Sequence, residues 1–220
     1  LEKAMVSTPE KVMNGSVVVM KVQTGEILAI ASKPSFNPNE FAAGITPENW
    51  KKLINDEMHP LQNRSIHSQY PPGSVYKIAV AYAALEEGVV NPETTIYCPG
   101  HFKLGRGRYR CWKKRGHGAV NLHDALVQSC DVYFYTVGHR MGIDTLASYA
   151  KKLGFGMPTG LGLSREKSGL VPSTKWKLKN RKEAWLLGET ISASIGQGYN
   201  LVTPLQQANM MAAVANGGML

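Results

Sequence analysis

Ser74 and Lys77 are the two residues of this chain whose types and spacing most directly indicate chemistry. They lie in the stretch PPGSVYK, residues 71–77, where a Pro-Pro-Gly turn is followed at once by an apolar pattern with helical spacing. A serine hydroxyl becomes an effective nucleophile only when a base takes its proton, and positions i and i+3 of a helix share a face. A helix start also directs free backbone N–H groups towards the group that the serine attacks. The stretch therefore predicts a nucleophile, its base and part of an oxyanion hole.

A second candidate constellation is the triplet Ser129-Cys130-Asp131, which lies between two predicted helices. An S-x-D triplet taken alone is usually a helix cap. In an extended backbone, however, the side chains of Ser129 and Asp131 point to one side and that of Cys130 to the other. The triplet therefore predicts a hydroxyl and a carboxylate that face the nucleophile, where they relay a proton and hold a substrate amide.

A candidate metal-binding set has the spacing C-x12-C-x5-H-x12-C and consists of Cys98, Cys111, His117 and Cys130. Three thiolates and one imidazole can enclose a structural zinc ion, although the spacing lacks the C-x2-C pairs of zinc fingers. The alternatives are a disulfide between the first two cysteines with the third free, or three buried thiols. An odd number of cysteines weakens an interpretation based on disulfides alone. A zinc ion bound by Cys130 would brace the two residues that flank it.

The elements that must position these residues follow from hydrophobic periodicity. Two apolar, β-rich runs at 17–22 and 27–32 enclose a turn at Gly25 and predict a hairpin. Helical spacing, N-cap residues and glycine stops predict helices at 47–55, 75–87, 122–128, 131–140, 144–154 and 204–216. Two strands followed by many helices indicate an α+β fold.

The chain is long enough for one large domain, with 220 residues of which 43% are hydrophobic. We expect a hairpin segment at 1–35, a connecting segment at 36–73, and a largely helical part at 74–220 that contains a loop over 91–118. No apolar run approaches the roughly 20 residues that cross a bilayer. The abrupt ends are typical of a piece of a longer protein.

The net charge of +9 indicates anionic surroundings for this protein. The densest basic run, residues 106–115, is interleaved with aromatic residues, which superficially suits single-stranded nucleic acid. Because no known nucleic-acid-binding motif accompanies the run, we expect a solvated loop and no nucleic-acid partner. Trp112, Trp176 and Trp185 are interpreted as packing residues.

The motifs together resemble a known family. PPGSVYK, SCDVYFY at 129–135 and GQGY at 196–199 occur in the order found in the transpeptidase domain of class B penicillin-binding proteins. YRCWKKRGHG at 109–118 and SGLVPS at 168–173 are similar to the elongation type, penicillin-binding protein 2. The resemblance covers nearly the whole chain. It implies the fold shared by penicillin-binding proteins and serine β-lactamases, an antiparallel sheet with flanking helices and a mostly helical subdomain.

The resemblance also implies a reaction, the D,D-transpeptidation that cross-links peptidoglycan. In it, Ser74 attacks the penultimate D-Ala of a stem peptide, Lys77 is its base, and Ser129 relays a proton to the leaving amine. Gln197, Gly198 and Tyr199 are the implied substrate-binding residues. The family needs no cofactor for catalysis, and β-lactams acylate its serine.

Two departures from the family pattern bear on these expectations. Asp131 stands where many relatives have asparagine, and a carboxylate beside Lys77 favours the charged ammonium over the free base. The Lys-Thr-Gly triplet that follows the Ala-Asn-Gly-Gly helix in the family does not occur in residues 1–220. Since that triplet completes the oxyanion hole, we expect an incomplete fold at the C-terminus and weak or no activity of this fragment.

Other functions remain open from the sequence. A β-lactamase or a β-lactam sensor has the same fold, but we assign no deacylating base here. A catalytically inert cell-wall scaffold is the alternative of another class, which the presence of both Ser74 and Lys77 disfavours. By resemblance, the partners are peptidoglycan stem peptides, β-lactams and membrane proteins of the elongation machinery. The implied location is the periplasmic side of the bacterial inner membrane.

Overall fold

The computed structural model describes residues 14–220. The first part of the expected hairpin segment, residues 1–13, lies outside the described residues. The chain forms two compact units. Among the described residues, the first comprises 14–70, Pro158–Ser168 and Thr203–Leu220, and the second comprises Pro71–Met157 and Gly169–Val202.

The described residues contain short strands and mostly short helices. The strands are β1 (Gly15–Met20), β2 (Ile27–Lys33), β3 (Ile96–Cys98), β4 (His101–Leu104), β5 (Gly107–Arg110) and β6 (Gly118–Val120). The α-helices are α1 (Pro38–Ala42), α2 (Pro47–Asn55), α3 (Arg64–His67), α4 (Lys77–Glu86), α5 (Leu122–Val127), α6 (Asp131–Met141), α7 (Ile143–Lys152), α8 (Thr174–Arg181), α9 (Leu187–Ala193) and α10 (Pro204–Ala215). A single 3-10 turn, Gly73–Tyr76, leads directly into α4. Across residues 14–220, every helix is too short or too polar to span a bilayer.

The first unit contains the predicted hairpin. Strands β1 and β2 pair in antiparallel fashion, with Val17 opposite Ala31, and helix α10 packs against β1. Thr203 begins α10 with a capping box, in which its hydroxyl accepts a hydrogen bond from the N–H of Gln206 at 3.1 Å. The predicted hairpin and the predicted helix at 204–216 are confirmed.

Helix α4 is the centre of the second unit. It contacts α5, α6 and α7, and its buried residues include Ala79, Ala83 and Ala84. Such small side chains allow neighbouring helices to approach closely. On α6, Tyr133 and Phe134 are fully enclosed, and each such burial contributes about 1.5–3 kcal/mol to stability. The packing therefore holds the N-terminus of α4, and with it the 3-10 turn, in a fixed place.

The segment 91–118 differs from the predicted loop, because it carries three short strands and leads into a fourth. Strand β3 pairs with β6, and β4 pairs with β5, both in antiparallel fashion. These strands have only three or four residues, which is too short for an alternating pattern to be recognised in the sequence. A Cβ added at Gly116 would collide with the carbonyl of Cys98. Glycine is therefore required at position 116.

Four helices are absent from the sequence prediction, namely α1, α3, α8 and α9. Helices α1 and α3 have five and four residues, which is too short for a periodic pattern. Helix α8 has the sequence TKWKLKNR, in which Lys177 is the buried residue, so it shows no apolar face. The other predicted helices are confirmed to within a few residues at each end.

Candidate active site

Ser74 and Lys77 lie on one turn of helix with opposite exposure. Ser74 belongs to the 3-10 turn and is exposed, whereas Lys77 begins α4 and is only 1% exposed. The turn therefore presents a hydroxyl to solvent and places an amine in the protein interior one turn behind it. The SxxK spacing predicts this shared turn, but the predicted direct contact of Lys77 with the Ser74 hydroxyl is not among the hydrogen bonds of Lys77.

Lys77 is enclosed by three hydrogen-bond acceptors. Its Nζ donates to the carbonyl of Ser129 at 2.9 Å, to the hydroxyl of Ser129 at 3.0 Å, and to Oδ1 of Asp131 at 2.6 Å. An ammonium has three donors, so each has an acceptor. The two charged side chains form a buried ion pair, with 2% of the lysine and 13% of the aspartate side chain exposed.

The hydroxyl of Ser129 connects Lys77 to Ser74. It donates to Oγ of Ser74 at 3.0 Å while it accepts from Nζ of Lys77. Among residues 14–220, no direct hydrogen bond joins Lys77 to Ser74. A hydroxyl can donate and accept at once. The hydroxyl of Ser129 therefore provides a continuous series of hydrogen bonds between Ser74 and Lys77.

The backbone of Ser129 is left-handed, with φ +52°, rather than extended. A non-glycine residue in this region costs about 1–3 kcal/mol, so the surrounding contacts must hold it. Its carbonyl accepts hydrogen bonds from Lys77 and from the indole Nε1 of Trp112, the latter at 3.1 Å. The backbone N–H of Trp112 also donates to Oδ2 of Asp131 at 3.0 Å.

Trp112 is thus a functional neighbour that sequence reasoning missed. It was interpreted as a packing residue, but 63% of it is exposed. Trp112 directly follows Cys111, a candidate metal ligand, and this position is the sequence signal that points to its role.

An open cavity of about 640 Å³ adjoins the serine. Its walls are formed by Ser74, Arg110, Cys111, Trp112, Ser129, Asp131, Tyr135, Ile195 and Gln197. Of the three expected substrate-binding residues, Gln197 reaches this cavity. The hydroxyl of Tyr199 instead donates a hydrogen bond to Oε1 of Glu189 at 3.2 Å. Gly198 is not among the residues that line the cavity.

Gly196 packs its backbone against the turn that carries the nucleophile. Its carbonyl accepts a hydrogen bond from the N–H of Gly73 at 3.0 Å, and its φ is +71°. A Cβ at this position would collide with the carbonyl of Gly73 and would lie 2.7 Å from Cβ of Tyr76. Close approach and backbone conformation thus both require glycine.

We expect Gly196→Ala to lower the free energy of unfolding by about 2–4 kcal/mol, because it combines left-handed strain with overpacking. Urea titration measures this change. Gly88→Ala is the matched control, because Gly88 has φ +63° and no atom lies within 4 Å of the added Cβ. If both variants lost the same free energy of unfolding, the close approach of residue 196 to Gly73 would not contribute to the loss.

The candidate metal ligands are brought together. The ligand atoms of Cys98, Cys111, His117 and Cys130 all lie within 4.8 Å of one another. Nδ1 of His117 is 3.6 Å from Sγ of Cys98 and 3.5 Å from Sγ of Cys111. All three cysteines are buried and free.

Without a bound cation, the surroundings of this cluster disfavour the charged forms of its cysteine and histidine side chains. Burial raises the pKa of the Cys130 thiol to about 12 and also raises that of Cys111. Burial and the positive charge of Lys113 lower the pKa of His117. Thiolates at these positions therefore need a compensating positive charge close by.

Cys130 links the two clusters through the backbone. Its side chain joins the other cysteines, while Ser129 and Asp131 on either side turn to Lys77. The extended backbone on which the predicted alternation depends is not present, since Ser129 is left-handed, yet Cys130 still points away from its two neighbours.

The chain is similar to known proteins over nearly its whole length. Residues 15–220 match the model of the penicillin-binding protein transpeptidase domain. A peptidoglycan D,D-transpeptidase MrdA from Acinetobacter baumannii is 46% identical over 206 residues, which are 93% of this chain and 31% of that protein. The chain thus spans about a third of this curated relative.

Solved structures agree with this relationship. Pseudomonas aeruginosa PBP2 in complex with WCK 5153 has a TM-score of 0.90 and 41% identity, covering 94% of this chain and 45% of that one. PBP2 of Helicobacter pylori in complex with MreC has a TM-score of 0.89 and 40% identity, covering 93% and 38%. The α+β transpeptidase fold expected from the motifs is confirmed, and the chain belongs to the penicillin-binding protein transpeptidase domain family.

Proposed function

We propose that this chain is catalytic machinery of a peptidoglycan D,D-transpeptidase that works through an acyl-enzyme on Ser74. The observation that carries the proposal is the unbroken series of hydrogen bonds from buried Lys77 through Ser129 to exposed Ser74. Such a series connects a nucleophile at the cavity to a base in the interior. The family relationship supports the same reaction.

The proposed reaction has two acyl transfers. Oγ of Ser74 attacks the carbonyl of the penultimate D-Ala, and its proton passes through Ser129 to Lys77, which enters the step as the free amine. The tetrahedral intermediate then expels the terminal D-Ala, whose amine takes up that proton. An amine of a neighbouring stem peptide attacks the ester, gives its proton to the same relay, and restores Ser74 as it forms the cross-link. Asp131 accepts a hydrogen bond from Lys77 whether the lysine is the free amine or the ammonium, and it thereby keeps Lys77 in position during these steps.

The test is the intact mass of the protein after incubation with a penicillin. It uses both this chain and a form that also carries the family's Lys-Thr-Gly strand, here called the KTG form. We expect one penicillin-sized adduct on the KTG form and none on its Ser74→Ala variant, with an unchanged circular dichroism spectrum. An adduct that persists in the variant would refute Ser74 as the nucleophile, and an adduct that is lost again rapidly would indicate a β-lactamase.

We further propose a structural zinc ion at Cys98, Cys111, His117 and Cys130, with no role for a metal in the chemistry itself. Zn–S bonds of about 2.3 Å and a Zn–N bond of about 2.0–2.1 Å at tetrahedral angles place sulfur and nitrogen about 3.6 Å apart. The separations of 3.6 and 3.5 Å at His117 fit that requirement. Three sulfur ligands and one imidazole make a closed site, as structural zinc prefers. The ion would hold Cys130, and thereby the relay residue before it.

The partners and place of action follow from the proposed reaction. We propose peptidoglycan stem peptides and β-lactams as ligands, and no nucleic acid. The Helicobacter pylori relative was solved with MreC, which supports contacts with membrane proteins of the elongation machinery. Because peptidoglycan lies outside the cytoplasmic membrane, the proposed location is the periplasmic side of the bacterial inner membrane.

A further inference from the structure

A second buried ion pair lies outside the machinery described so far. Nζ of Lys177, on α8, donates to Oε1 of Glu189, on α9, at 2.6 Å. Only 2% of the lysine side chain and 21% of the glutamate side chain are exposed. Glu183 approaches the same amine at 3.5 Å but is 66% exposed, so it lies at the rim of the pair. Neither partner lines the cavity beside Ser74.

Both members of this pair are charged. The hydrogen bond from Lys177 to Glu189 raises the pKa of the lysine. Burial acts to raise the pKa of Glu189, but the hydrogen bonds from Lys177 and from the N–H of Leu186 outweigh it and lower the pKa. A buried ion pair is weak evidence for stability alone, because apolar residues of similar volume often stabilise as well. A role in orienting a third group accounts better for its presence.

That third group is Tyr199. Its hydroxyl donates to Oε1 of Glu189, the oxygen that also accepts from Lys177. Its ring contacts two indoles in tilted geometry, with the centroid 5.1 Å from that of Trp176 and 6.1 Å from that of Trp185. The tyrosine is therefore held by two aromatic contacts to its ring and by a charged acceptor at its hydroxyl.

Tyr199 belongs to a short segment, residues 196–200, whose first residue contacts the turn that carries Ser74. Gly196 accepts the hydrogen bond from Gly73, the residue directly before Ser74. Gln197 lines the cavity. Asn200 closes the segment, since its side-chain amide donates to the carbonyls of Ala193 and Gln197 at 3.0 Å each. A displacement of Tyr199 would thus be passed to the wall of the cavity and to the turn that carries the serine.

We propose that Glu189, held by Lys177, is a positioning residue for the reaction at Ser74, and that it acts through Tyr199. It keeps segment 196–200 in place, so that Gln197 faces the substrate and Gly196 restrains the nucleophile turn. The inference rests on the proposed function. It assigns to Tyr199 a supporting role in place of the direct substrate contact that the family resemblance implies.

The main test is Tyr199→Phe, which removes the hydroxyl and leaves the ring. The matched control is Tyr149→Phe, because the Tyr149 hydroxyl donates to a carboxylate oxygen of Glu87 at 2.8 Å and the residue does not line the cavity. In the KTG form, we expect Tyr199→Phe to lower the second-order rate constant of acylation by a penicillin about tenfold, since a hydrogen bond to a charged group is lost. We expect Tyr149→Phe to stay within twofold of the parent.

Two further measurements separate positioning from stability. Hydrogen exchange of peptides that cover 196–200 will be faster in Tyr199→Phe than in the parent, and unaltered in Tyr149→Phe. Glu189→Gln, which leaves Lys177 without its charged partner, will reduce acylation more than Tyr199→Phe does at a temperature at which the variant is still folded. Melting curves identify that temperature.

The outcomes are distinct. Acylation of Tyr199→Phe within twofold of Tyr149→Phe, or unaltered exchange in 196–200, would overturn the positioning role while the proposed function stands. Failure of the parent KTG form to be acylated at Ser74 would overturn the proposed function and this inference with it.

Discussion

Replacement of Lys77 by alanine will lower the acylation rate of Ser74 in the KTG form by about 10²–10⁴-fold, the range for loss of a general base. In the described residues, the hydrogen-bond series that starts at Ser74 passes through Ser129 to the amine of Lys77. Beyond this amine it reaches one further basic group, the carboxylate of Asp131. Removal of the amine also leaves the carboxylate of Asp131 buried without a counter-charge, which destabilises the fold. Stopped-flow acylation by a fluorescent penicillin measures the rate, and urea titration measures the stability.

Lys77→Arg separates the two roles of this residue. A guanidinium keeps the positive charge beside Asp131, but it does not give up its proton in proteins. We therefore expect Lys77→Arg to lose acylation almost as fully as Lys77→Ala and to lose less stability. If Lys77→Arg reacted at the parent rate, Lys77 would be a charge holder and the base would have to be another group.

Removal of the proposed zinc ion has the second large expected effect. Metal analysis of the purified protein will find about one zinc ion per chain, and a strong chelator will lower the melting temperature by at least about 10 °C, because a structural site contributes directly to folding. The four ligands draw on strands and turns between residues 98 and 130, where the described hydrogen-bonded strands are short. The ion is thus expected to be a main source of order in that segment.

Cys130→Ser tests whether the metal supports the relay. We expect the variant to lose zinc and to be acylated about 10–100-fold more slowly, because the serine before Cys130 loses its support. Cys98→Ser is the matched control for metal loss, since Cys98 would bind the proposed ion from β3 and does not adjoin Ser129 or Asp131 in the chain. Absence of zinc from the parent protein would refute the site, and normal acylation of zinc-free Cys130→Ser would refute the support.

The features of this protein that depend on residues close together in the chain could be predicted from the sequence. The SxxK spacing sets Ser74 and Lys77 on one turn, and the hairpin and most of the longer helices follow from periodicity and caps. An extended backbone would point Cys130 away from its two neighbours, but Ser129 is left-handed, so the observed directions depend on the tertiary contacts of this turn. Strands β3 to β6 were not predicted because three or four residues are too few to show a period, so their pairing comes from tertiary contacts.

The reactive residues can be recognised from the sequence: a serine and a lysine one turn apart, a second serine, and three cysteines with a histidine. Their connections become visible only in the folded protein. It places the Ser129 hydroxyl between Lys77 and Ser74, brings Trp112 against the Ser129 carbonyl, and ties segment 196–200 to Glu189. These contacts join residues far apart in the chain, and their geometry depends on how α4, α6 and α9 pack. A sequence pattern indicates which side of a helix is apolar. It does not indicate which polar atom from a distant part of the chain will form a hydrogen bond with that helix.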